Sequence, residues 1–93
     1  MHYSHQTQLS EIAGLPMPGE PSVAFWSGNV RHAITAQDHE SWCLFESAGS
    51  LVGEFVTEEG GFAVLDDDGG DAERFGSWRS AVRHILRRGL LAA

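Results

Sequence analysis

The feature that most constrains this chain is a series of short apolar runs, cut at near-regular intervals by turn chemistry. Ser41 to Glu46, Leu51 to Thr57 and Phe62 to Asp66 are separated by Ser47-Ala48-Gly49-Ser50 and Glu58-Glu59-Gly60-Gly61, and Asp67-Asp68-Gly69-Gly70 follows the last. Connections this short join antiparallel neighbours, because parallel strands need a crossover of about a dozen residues or more. Val30 to Thr35 reads as a strand before these runs, on its β-branched residues, and Asp71 to Phe75 as a short strand after them.

The period then changes. Trp78, Ala81, Val82, Ile85 and Leu86 recur at i, i+3, i+4, i+7 and i+8, the apolar stripe of an amphipathic helix. Ser77 is placed to cap its start, and Gly89, after Arg87 and Arg88, to end it. The predicted fold is α+β: an antiparallel three- to five-stranded β-meander packed on one C-terminal α-helix. Residues 30–93 form this domain. Residues 1–29 are expected to be a loosely structured segment, because Pro16, Pro18 and Pro21, with Gly14 and Gly19, break any regular element. Within it, Leu9, Ile12 and Leu15 fit a brief helical turn, and Val23-Ala24-Phe25-Trp26 a strand or an anchor.

A register follows from the two four-residue loops. Pairing Glu46 with Leu51 and Thr57 with Phe62 puts Trp42, Leu44, Leu51, Phe55, Phe62 and Val64 on one face. The other face holds Cys43, Phe45, Val52, Val56, Ala63 and Leu65, interrupted by Glu54. Both faces are apolar, yet one helix covers only one of them. The Trp78 stripe is expected on the Phe55 face, with Gly53 leaving room for a large ring. The second face must be buried by the amino-terminal segment (Phe25, Trp26 and Ile12), by another copy of the chain, or by a different protein. This favours a protein-binding or regulatory module, self-associating as a homodimer, with Phe45, Val52, Glu54, Val56 and Leu65 at the contact.

Charge adds a second theme. The formal net charge is −7. Every charged residue from Asp38 to Glu73 is acidic, and every one from Arg74 onward is basic. Asp66, Asp67, Asp68 and Asp71 are the densest carboxylates and extend the predicted contact toward a partner with a basic surface. A small acidic chain of this kind can occupy a nucleic-acid groove on another protein by imitating phosphate charge, as bacterial or phage accessory proteins such as antitoxins, restriction inhibitors and CRISPR inhibitors do. Direct binding of DNA or RNA is disfavoured by the same field, although Arg79, Arg83 and Arg87 at i, i+4 and i+8 offer a helix-only contact as an alternative.

Catalytic and cofactor chemistry finds little support. All six basic residues are arginine, so a lysine nucleophile or Schiff base is excluded. Counted as a calcium loop from Asp66, position 6 is Asp71 where glycine is needed, and position 12 is Ser77 where glutamate is needed. His32, His39 and Cys43 supply three ligand types for a metal-binding or enzymatic alternative, without the paired spacing or fourth ligand of a structural zinc site. Glu40 and Glu46 near Cys43 disfavour a thiolate. Neither a catalytic residue nor a cofactor is expected. No apolar run approaches the ~20 residues of a membrane span, the amino terminus does not read as a secretion signal, and Cys43 has no disulfide partner. A cytoplasmic location is expected.

Overall fold

A computed structural model describes residues 6–65 and 73–92, with side chains as far as Arg88. Six strands form one open antiparallel sheet in sequence order: β1 (Val23–Ser27), β2 (Val30–Ala36), β3 (Ser41–Glu46), β4 (Leu51–Glu58), β5 (Gly61–Val64) and β6 (Glu73–Phe75). One helix, α1 (Trp78–Ala92), follows, and a 3-10 turn, Leu9–Glu11, precedes the sheet. The architecture is α+β, with one strand more than the upper limit expected. The additional strand is β1, so the sheet begins at Val23 rather than near Val30. The β1–β2 hairpin turns in two residues, Gly28 and Asn29, between the paired Ser27 and Val30. Gly28 sits at φ +62°, the positive value that the first position of a II′ loop needs.

The middle of the sheet has the register read from the loops. Trp42 faces Phe55, Cys43 faces Glu54, Phe55 faces Val64 and Thr57 faces Phe62. Toward Leu51 that reading fails. A bulge between Leu44 and Phe45 pairs Phe45 with Leu51 instead of Val52. The extra residue carries Val52 to the helix side, where it packs against the core, and leaves Leu51 52 % exposed.

Among the described residues, all covering elements lie on one face. Phe25, Ile34, Trp42, Leu44, Phe55 and Val64 meet Ala81, Val82 and Ile85 of α1 in a single buried cluster. Trp42 stacks on Phe55 at 5.6 Å between centroids, and Phe62 meets Phe55 edge-on. Gly53 does leave room, but for Ile85 rather than for a ring: a Cβ there would lie 2.6 Å from the Ile85 Cγ2. Ser77 caps the helix as expected, its Oγ accepting from the Ser80 N–H at 3.2 Å. The helix does not stop at Gly89 but continues to Ala92.

Leu9 and Ile12 enter the same cluster, so the segment before β1 completes the lid that α1 begins. Two side chains hold its backbone. The Trp42 indole N–H donates to the Pro16 carbonyl at 2.8 Å, in a buried bond, and the Arg79 guanidinium donates to the Ile12 carbonyl. At its outer end the Trp26 N–H donates to the Thr7 carbonyl, and Gln8 bridges to Trp26 beside β1.

Candidate functional site

The opposite face of the sheet carries no covering element among the described residues. Alternation along the strands puts Trp26 and Ala24 there from β1, Arg31, Ala33 and Thr35 from β2, and Cys43 and Phe45 from β3. Leu51, Glu54, Val56 and Glu58 follow from β4, Ala63 from β5 and Arg74 from β6. Around Glu54 the centre is otherwise apolar and closely set. Cys43 and Ala63 are small and 5 % and 1 % exposed, screened by larger half-buried neighbours such as Phe45 and Val56. Leu51 and Leu65, at 52 % and 40 %, are the exposed large side chains beside them. Of the three residues the sequence offered as cover for this face, Ile12 and Phe25 lie in the core on the other side, and Trp26 is on this face as one of the residues of β1.

Of the predicted contact residues, Phe45, Glu54 and Val56 therefore share the bare face. Leu65 follows β5 at its margin, its N–H held by the Glu54 carbonyl. Val52 does not belong to it, because of the bulge. Asp66, Asp67, Asp68 and Asp71 lie outside the described residues.

The charges frame this surface. Glu54 is half-buried at its middle. Arg74 pairs with Glu58 at 2.8 Å across two well-exposed side chains, a contact worth about 0–1 kcal/mol. The Glu40 carbonyl accepts the Thr57 N–H, which brings the acidic β2–β3 turn (Asp38, Glu40) beside the acidic β4–β5 turn (Glu58, Glu59) at one end of the sheet. Asp38 is held below the usual carboxylate range, first by the Glu40 N–H, at 2.8 Å, and then by Ser41.

The histidine and cysteine set does not converge. His32 faces the helix side, Cys43 the bare side, and His39 is exposed in the turn between β2 and β3. Among the described residues no three His, Cys, Asp or Glu side chains are grouped to hold a metal ion. Burial, and behind it Glu54, pushes the Cys43 thiol up, the direction opposite to a nucleophile's. The helix arginines also divide. Arg79 lies over the Trp78 ring at 4.5 Å and is committed to Ile12, leaving Arg83 and Arg87 as the exposed members of the stripe.

One constellation escaped sequence reasoning. At the far end of the sheet from the acidic turns, Ser27, Gly28, Asn29, Val30, His32, Glu46, Val52 and Leu86 line a cavity of about 670 Å³. His32 is 6 % exposed and stacks on Phe25 at 5.4 Å, and its Nδ1 has no hydrogen-bond partner. A buried polar atom left unpaired costs about 1–3 kcal/mol. Burial lowers the His32 pKa below its ordinary 6.5, against the opposing pull of Glu46 and of the Phe45 carbonyl. Nothing in the local sequence marked either the pairing of His32 with Glu46 across β2 and β3 or a cavity. No helix among the described residues is long and apolar enough to cross a membrane. Compared with known protein families, curated proteins and solved structures, the chain matches none.

Proposed function

We propose that this domain is a small acidic protein-binding module of regulatory type that self-associates through the bare face of its sheet. One observation carries the reading: α1 and the segment before β1 both cover the same side, leaving Phe45, Val56, Leu51 and Leu65 without a lid among the described residues. The area is sufficient for a modest interface. Five gaps between six strands at ~4.8 Å, by strands about 20 Å long, give a face of roughly 500 Å² per copy. Two such faces together approach the ~1,200 Å² at which specific interfaces begin, which points to a reversible dimer rather than an obligate one.

Charge sets the conditions. Each copy carries −7, so association works against net repulsion, and Glu54 stands near the middle of the contact. Added salt screens that repulsion and strengthens the dimer, and Glu54→Gln strengthens it further. Sedimentation equilibrium over a concentration series tests the reading, with Val56→Glu as the disrupting variant. A folded wild-type chain that stays monomeric at millimolar concentration in both low and high salt overturns it.

A second reading rests on the juxtaposed acidic turns. Asp38, Glu40, Glu58 and Glu59 form a band that suits a protein with a basic, nucleic-acid-binding groove. The opposite salt response separates the two: capture of a basic partner weakens as salt rises, whereas self-association strengthens.

A further inference from the structure

The cavity beside the β1–β2 turn lies on the helix side of the sheet, away from the face assigned to self-association. It combines the properties of a small-ligand site. Its volume falls within the ~300–1,000 Å³ of such sites. Its walls are apolar on one side, through Val30, Val52 and Leu86, and polar on the other, through Ser27, Asn29, His32 and Glu46.

Two of those residues keep hydrogen-bonding capacity that no group among the described residues takes up. The Glu46 carboxylate pairs with no arginine among the described residues, and His32, more than nine-tenths buried, keeps an imidazole nitrogen without a hydrogen bond. Both sit in one wall, opposite each other across β2 and β3. The unpaired His32 nitrogen is itself covered from solvent, so the acceptor this wall offers a ligand is the Glu46 carboxylate, and the complementary group is a cationic donor. The net charge of −7 draws cations and repels anions at longer range. The apolar wall calls for a hydrocarbon body on the same molecule.

We propose that this cavity binds a small organic amine, its ammonium donating to Glu46 on the His32 wall and its apolar body lying against Val30, Val52 and Leu86. Aromatic or branched aliphatic amines fit this description. A carboxylic acid of the same shape does not, because Glu46 would face a like charge.

The test is an amide-resolved NMR titration of the full chain at pH 7.5 with three probes of matched shape: phenethylamine, 2-phenylethanol and 3-phenylpropionate. The expected result is saturable shifts from phenethylamine, centred on Gly28, Asn29, His32, Val52 and Leu86. Binding should weaken about tenfold with 2-phenylethanol and be lost with 3-phenylpropionate, since a charge-assisted hydrogen bond is roughly twice as strong as a neutral one. Glu46→Gln, at a half-buried position, should weaken phenethylamine by about the same factor and abolish its preference over the alcohol. Val30→Trp, at the rim, keeps Glu46 and should block entry, which serves if the first variant is not native. Shifts that never saturate, that are equal for the three probes, or that persist unchanged in the folded variants overturn the assignment. Because the two surfaces lie on opposite sides of the sheet, Val56→Glu should leave phenethylamine binding at the wild-type level, so loss of the dimer and loss of this site are read separately.

Discussion

Substituting Gly53 by alanine puts a single methyl group where the sheet and helix are closest. The strand backbone there is extended, so the cost is one of space. The new Cβ would lie 2.6, 3.2 and 3.3 Å from Cγ2, Cγ1 and Cδ1 of Ile85, against the ~3.5–4.0 Å at which carbon atoms attract. Ile85 is fully buried, and a β-branched residue in a helix holds one χ1 rotamer about 90 % of the time, so it has little freedom to swing away. The helix must therefore retreat by roughly 1 Å from a packed interface. Overpacking of this kind costs ~1–3 kcal/mol, and replacing glycine in the unfolded chain returns ~0.4–1 kcal/mol. The expected net loss is ~1.5 kcal/mol, or roughly 6–12 °C in Tm for a domain of this size. Urea unfolding followed by tryptophan fluorescence measures it. A double-mutant cycle isolates the contact: Ile85→Ala alone should cost ~2–5 kcal/mol, and at least ~1 kcal/mol less in the Gly53→Ala background, where the added methyl enters the vacated space. A Gly53→Ala chain as stable as wild type, or strict additivity in the cycle, would refute the close approach.

Other consequences are as direct. Trp42→Phe removes the donor to the Pro16 carbonyl, and limited proteolysis should then cut between residues 13 and 20 while the β3–β5 sheet remains protected. Ser77→Ala removes the helix cap and should lower unfolding stability by ~1 kcal/mol, with no change at the bare face. Cys43 should react with Ellman's reagent in the native state far more slowly than in the unfolded chain, since it is buried and its thiol is pushed up. His32 resists protonation in the fold, so the unfolded chain takes up its proton first as pH falls through 6.5. Stability is thus lost between pH 6.5 and the lowered folded-state value. The stability of His32→Phe relative to wild type should rise as pH drops from 7 to 5; a flat or inverse difference counts against the buried neutral ring.

The legible parts of the fold were those set by local chemistry. Alternation and turn residues are properties of a few consecutive positions, and they placed Trp42 opposite Phe55 and Thr57 opposite Phe62. The helix start at Ser77 and its apolar stripe are equally local. The reading failed where one extra residue entered the ladder. Gly53, an isolated glycine in a strand, is the usual mark of such a bulge, but its neighbours Leu51 and Val52 are both apolar, so hydropathy could not show which of them turned inward. The segment before β1 was illegible for another reason. It is held by hydrogen bonds that span 26 and 67 residues, made to backbone carbonyls that carry no side-chain signature. The cavity draws on β1, β2, β3, β4 and α1 at once, and no spacing along the chain announces it.

The bond between Arg79 and Ile12 has a consequence for the order in which the molecule is made. During synthesis the residues that will receive the guanidinium emerge first and the residue that supplies it emerges 67 positions later. Until α1 is released and packs, Leu9 and Ile12 lack part of their hydrophobic seat, and the nascent meander is open on both sides. Until α1 packs, the apolar surface of the meander is open to aggregation, and closing a loop of 67 residues carries an entropic cost that the short hairpins do not.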